Sequence, residues 1–208
     1  MTHSPRTLPR LLPLALIALA LPSTAHAELH GFRLDPVHTR VLFSIDHDGY
    51  STALGTVSGS EGLLAFDPDD WTSARLDVSV PLQRLELGDD GWNRAARRML
   101  EAATWPQARF ISTQVEATGP KQARACGTLY LHGQQQPLCL DVRFNQARRE
   151  SLPPFHDRAG FSATASLQRS DFGIDDWKTL VGDRVELRIE AEAVRDDAVL
   201  AELARRMP

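Results

Sequence analysis

The sequence predicts an all-β protein: an antiparallel eight-stranded barrel with one amphipathic helix inserted near its mouth and a short helix at the C terminus. Apolar and polar residues alternate at period two in segment after segment, the mark of half-buried antiparallel strands. These segments number eight or nine, enough to close a sheet on itself. A single internal stretch switches to helical spacing.

Val41, Phe43, Ile45 and His47 alternate with Leu42, Ser44 and Asp46, so His47 falls on the apolar face of its strand. Leu76, Val78, Val80 and Leu82 repeat the pattern against Arg75, Asp77, Ser79 and Pro81. So do Phe161, Ala163, Ala165 and Leu167, and most clearly Val185, Leu187, Ile189, Ala191 and Ala193. Weaker strands are expected near 29–34, 56–66 and 108–118, with a hairpin over 124–144. Trp92, Ala95, Ala96, Met99, Leu100 and Ala103 share one helix face, with Asp89 or Asp90 to cap the start, Pro106 to end it, and Arg94, Arg97, Arg98 and Glu101 on the other side. Because it interrupts the strand order, this helix should lie across or against an end of the barrel, as a plug or as a lid. Val199, Leu200 and Leu203, after Asp196 and Asp197, form the closing helix.

The first residues carry a three-part secretory pattern: Arg6 and Arg10, an apolar run from Leu11 to Leu21, and a small-x-small site at Ala25-His26-Ala27. The run is too short to span a bilayer, and no later stretch would do so. The expected organisation is a leader over 1–27 and one domain over 28–208. The full chain has 23 basic and 27 acidic residues, net −4, and losing Arg6 and Arg10 makes it −6. Nucleic acid and anionic membrane are therefore poor partners.

Cys126 and Cys139 are the only cysteines, and export places them in an oxidising compartment. They flank the expected hairpin, and both alternate out of phase with its apolar residues, so a cross-strand disulfide on the outer face is reasonable. The inward positions include Ala125, Gly127, Ala163, Ala165, Ala191 and Ala193. Such small residues leave room for a cavity, or let strands approach closely.

Asp35-Pro36-Val37-His38-Thr39, followed by His47 and Gly55, resembles the opening of the YceI-like family of periplasmic polyisoprenoid-binding proteins, with Thr39 where serine is usual. Further matches follow in family order: Trp105-Pro106 to Phe110, Gly127 to Gly133, Arg169-Ser170-Asp171-Phe172-Gly173 and Gly182-Asp183. The departure lies in the helical segment, where Ala102-Ala103-Thr104 replaces an aromatic pair. Fewer aromatics there would widen or reshape the mouth.

The resemblance implies a lipocalin-like barrel in the periplasm that holds a long-chain isoprenoid lipid of the quinone or polyprenyl type, with no cofactor besides that ligand. A fatty-acid-type lipid is the alternative. Strands of about ten residues would run roughly 33 Å, enough to sheath much of an extended tail. Phe43, Ile45, Val78, Val80, Leu129, Phe161, Leu187 and Ile189 would line the channel, though each is equally well explained as plain core. His38 and His47 would meet a head group or pin the strand, with the structural role favoured for His38. Trp92, Met99, Trp105 and Trp177 would cover the mouth, and Phe172 completes the ligand-binding set. Asp171 with Arg169 is expected to stabilise its own turn.

No Gly-x-Ser-x-Gly elbow or fixed nucleophile–base spacing is present, so no catalytic residues are assigned and an enzyme is not expected. The five histidines after the expected leader, His30, His38, His47, His132 and His156, lack metal-site spacing, and Asp67-Pro68-Asp69-Asp70 reads as a solvated turn rather than a calcium loop. A non-catalytic role in delivery to a membrane respiratory partner is the other reading, with Arg94, Arg97 and Arg98 as a docking face. The oligomeric state, a homodimer included, is left open.

Overall fold

The computed structural model describes residues 28–207; the expected leader lies outside them. Two wall strands are each broken in the middle. β1 (His30–Leu34) and β2 (Arg40–His47) form the first, parted by the Asp35–Thr39 turn, and β3 (Ser51–Ser58) and β4 (Glu61–Phe66) form the second, parted at Gly59 and Ser60. The single strand expected over 56–66 is therefore two. Gly59, at φ +75°, supplies the bend that most side chains resist.

β5 (Arg75–Pro81) follows and is prolonged, past a single 3-10 turn, by the two-residue β6 (Leu85–Glu86). Helix α1 (Asp90–Met99) intervenes before β7 (Gln107–Gly119), β8 (Gln122–Leu131), β9 (Gln134–Arg149), β10 (Asp157–Gln168) and β11 (Val181–Arg195). All pairings are antiparallel. β11 closes the ring by pairing with β2 through Glu190↔Arg40 and with β1 through Ala193↔Leu34. The result is the eight-stranded barrel expected, with each broken strand counted once.

β4 reads as a near-continuous apolar run because both of its faces are covered. Leu64 and Phe66 face the barrel core, while Leu63 and Ala65 pack outside against Val199 and Leu203 of α2 (Ala198–Arg206). Asp77, on the outward face of β5, is held by Arg109 at 2.8 Å through two bonds and lies 3.6 Å from Arg206 of α2.

Asp89 caps α1 by accepting from the Trp92 amide at 2.9 Å. The helix ends at Met99, well short of Pro106, as the chain turns through Glu101 at φ +44°. Arg97 does not face outward with Arg94. Its Nη2 donates to the Leu85 carbonyl at 2.8 Å, and the buried Asn93 accepts from the Leu87 amide and donates to Glu86. These bonds tie the helix to β6. The turn at Asp67 is not wholly solvated either: Asp67 is buried and accepts from the Asp69 amide, while Asp70 caps the 3-10 turn that carries Trp71.

Cys126 and Cys139 are directly opposed on β8 and β9, with Cα atoms 4.0 Å apart, and form a disulfide. Both alternate with the buried Ala125, Leu138 and Leu140, so the bridge sits on the outer face as the alternation predicts. It joins residues 13 apart in sequence. Closing so short a loop is worth about 3 kcal/mol through the unfolded chain. Thermal melts with and without reductant should accordingly differ by roughly 6–12 °C for a domain of this size. An unchanged midpoint would mean that the cross-strand ladder alone holds the hairpin.

A candidate ligand cavity inside the barrel

The barrel encloses a cavity of about 650 Å³, within the range of small-molecule sites. Its position follows from side-chain size. Ala125, Ala163 and Ala191 face inward and line it, leaving space that larger residues would fill. The other small inward residues act differently. A Cβ on Gly127 would stand 2.1 Å from the Ile111 carbonyl oxygen, so that glycine permits close strand approach beside a bulge. Ala165 and Ala193 pack in the core and do not line the cavity. Gly55 makes room for a neighbour's ring: a Cβ there would stand 2.2 Å from the Phe43 side chain.

The walls are apolar. Phe43 and Ile45 of β2, Val78 and Val80 of β5 and Leu129 of β8 line them, as do Phe161 of β10 and Leu187 and Ile189 of β11. One end is lined by a ring cluster in which Phe66 and Trp71, outside the expected set, join Phe161. Phe66 meets Trp71 edge-on at 5.1 Å and Phe161 edge-on at 5.2 Å, and Phe144 stands 5.5 Å from Phe161. Trp71 was hidden in sequence by its position in an acidic turn, away from any strand pattern.

At the other end the cavity reaches the surface beside α1. Trp92 and Trp177 line it although 45% and 59% exposed, which marks the mouth. His47 is half-buried and stacks against Trp92, ring centroids 5.0 Å apart. Met99, Ala95 and Ala96 complete the helix face over the cavity, and Arg98 also borders it. Two residues of the expected set lie elsewhere. Trp105 packs over Gly133 on the outside of the β8–β9 hairpin, and Phe172 is buried in the core, its carbonyl 2.8 Å from Nδ1 of His132. Neither borders the cavity.

The mouth is braced by a buried arginine whose partners differ from those expected. Arg169 makes no bond to the Asp171 carboxylate. Its guanidinium donates to the carbonyls of Ile174 (2.6 Å), Asp176 (2.8 Å), Val181 (2.9 Å) and Gly182 (2.9 Å). It thereby fixes the loop that carries Trp177. The turn itself is held by Asp183, which accepts from the Ser170 amide and hydroxyl.

His38 lies outside the cavity, in the turn that breaks the first wall strand. Its Nδ1 is 2.7 Å from Oδ2 of Asp35, which also takes Nη1 of Arg158 at 2.6 Å and the Val37 amide on Oδ1. Burial alone would raise the Asp35 carboxyl, yet the bonds from Arg158, His38 and the backbone outweigh it and hold the group well below the carboxylate range. The same bond raises the His38 imidazole above its ordinary value. The signs give two pH limits. Asp35 contributes stability that is present above about pH 4 and lost as pH falls below it, whereas the His38 contribution is complete below about pH 6.5 and fades as pH rises through the elevated value. An NMR titration should find the His38 midpoint above 6.5, returning toward it in Asp35→Asn. Equal midpoints in both proteins would refute the pairing in solution.

Fold and cavity together define a class: a closed antiparallel β-barrel around an apolar chamber with an aromatic floor and a helix at the mouth. Residues 32–193 match the YceI-like domain, and the chain belongs to that family. It is 32% identical over 167 residues to a UPF0312 protein of Pseudomonas savastanoi pv. phaseolicola, covering 77% of this chain and 86% of that one. A Pseudomonas putida relative is 31% identical, covering 86% and 94%. Among solved structures, Burkholderia cenocepacia BcnA superposes with a TM-score of 0.69 at 19% identity, over 76% of this chain and 98% of its own. A polyisoprenoid binding domain from Saccharophagus degradans superposes with a TM-score of 0.59 at 16% identity, over 81% and 100%. At these identities the structures establish the barrel.

Proposed function

We propose that this protein is a non-catalytic periplasmic carrier of a long-chain isoprenoid lipid, of quinone or polyprenyl type, held in the barrel. The observation that carries this reading is the apolar cavity itself, lined by aromatic rings at one end and bordered by α1 at the other. Family membership and the polyisoprenoid binding domain among its structural relatives support it. Sheathing a tail here is worth about 0.8 kcal/mol per methylene against water. Against a bilayer, the lipid's alternative home, the gain is close to zero. That balance suits uptake and release better than storage.

Gentle mass spectrometry of the protein from a native-like periplasm, followed by solvent extraction, tests the proposal. A stoichiometric isoprenoid is the expected result. Extraction of fatty acids in its place would move the ligand class, and an empty protein that takes up neither quinones nor polyprenols would overturn the carrier reading.

A further inference from the structure

Midway down the apolar chamber lies a polar step. Thr39 and Ser60 both line the cavity, 2% and 0% exposed. They come from the two strand interruptions, which are neighbours in the sheet: the pairs Arg40↔Ser58 and Arg33↔Leu63 bracket them. Alternation aims both inward, Thr39 in phase with Val41 and Phe43, Ser60 in phase with Leu64 and Phe66. Their hydroxyls are spent differently. Thr39 donates to the Glu192 carbonyl at 3.3 Å, which leaves oxygen lone pairs free to accept. Ser60 Oγ has no hydrogen-bond partner among the described residues. A third buried hydroxyl, Ser112, shows the usual arrangement, for it accepts from the Leu76 amide at 2.9 Å.

A buried hydroxyl without a partner is costly, and native structures rarely keep one without a use. Its depth says what that use is. Eight residues of β2 separate Thr39 from His47 at the mouth, roughly 26 Å of strand at about 3.3 Å per residue. A ligand oxygen reaching Ser60 must therefore travel about half the length of the first wall strand, which runs from His30 to His47. We infer that Ser60, with Thr39 beside it, is a hydrogen-bonding site for a neutral oxygen function of the ligand, a carbonyl, hydroxyl or ether, so that the lipid enters head first and its tail runs back toward Trp92 and Trp177. Ser60 supplies the donor, and Thr39 an acceptor where the ligand group is a hydroxyl. A phosphate head is disfavoured, because it would carry its charge past Val41 and Phe43 into apolar walls. Arg75, which borders the cavity further from the mouth, already donates to the carbonyls of Thr72 and Ala74.

This inference rests on the lipid-carrier reading and is tested by Ser60→Ala on the whole chain, with two probes: a quinone with an isoprenoid tail, and squalene, an isoprenoid without oxygen. The variant should bind the quinone roughly 3- to 10-fold more weakly, the effect of one hydrogen bond, and squalene no more weakly than before. The lipid-free variant should also melt at a higher temperature, since an unpaired hydroxyl has been removed. Infrared spectra of carbonyl-labelled quinone should show a lowered stretching frequency in the wild-type complex that reverts in Ser60→Ala. An equal change for both probes, or a carbonyl band indifferent to the substitution, would overturn the oxygen site and leave the carrier reading standing. Failure of the wild-type chain to bind either probe would overturn both.

Discussion

Ala163→Phe is expected to abolish lipid binding while the barrel stays folded. Ala163 lies on the inward face of β10, registered with Val142 and Ile189, and borders the cavity. A phenyl ring there stands where the tail would run. Displacing about five methylenes at roughly 0.8 kcal/mol each removes about 4 kcal/mol, close to a thousandfold in Kd. Overpacking a filled core costs about 1–3 kcal/mol, but here the ring enters open space, so the melting temperature should move by only a few degrees. Thr164→Phe, on the exposed outer face of the same strand, is the control and should bind lipid as the wild type does. Lipid titrations beside circular dichroism melts decide the matter. Undiminished binding by Ala163→Phe would place the ligand outside the barrel.

The second large effect is expected at Arg169. Burial of a guanidinium at 4% exposure is tolerable only because four carbonyls receive its protons. Arg169→Met keeps much of the apolar stem and leaves those carbonyls without their donor. We expect a loss of about 3 kcal/mol, with water meeting some of the freed carbonyls. That is a fall of roughly 6–12 °C in melting temperature. Because the bonds converge on residues 174–182, amide exchange should quicken there first, while the β8–β9 ladder stays protected. Arg169→Lys should rescue little, since an ammonium cannot span the planar fork's partners. Unchanged exchange in the loop would show that Ile174, itself buried, anchors the segment.

Much of this barrel was legible because period-two alternation survives wherever one strand face meets the core and the other meets water. β2, β10 and β11 were readable for that reason, as was the pairing of Cys126 with Cys139. β4 was blurred because α2 covers its outer face, and the break at Gly59-Ser60 was missed because two short strands in tandem look like one long one. The cavity walls were found as inward apolar positions, yet sequence could not separate lining from filler. Ala163 and Ala165 share one face of one strand, and only the first borders the cavity.

The features legible in the sequence are therefore local: the alternation that makes strands, the start of a helix capped by Asp89, the cysteine pair, and the order of short motifs that marks the family. Tertiary structure alone decided what those elements enclose. Trp71, Phe66 and Ser60 belong to the chamber through contacts between residues distant in sequence, as the His47–Trp92 stack does at its mouth. Arg169 finds its partners through a fold of the following loop rather than in the adjacent Asp171. Periodicity reports the direction a side chain points; the distance to whatever lies opposite is set by closing the sheet.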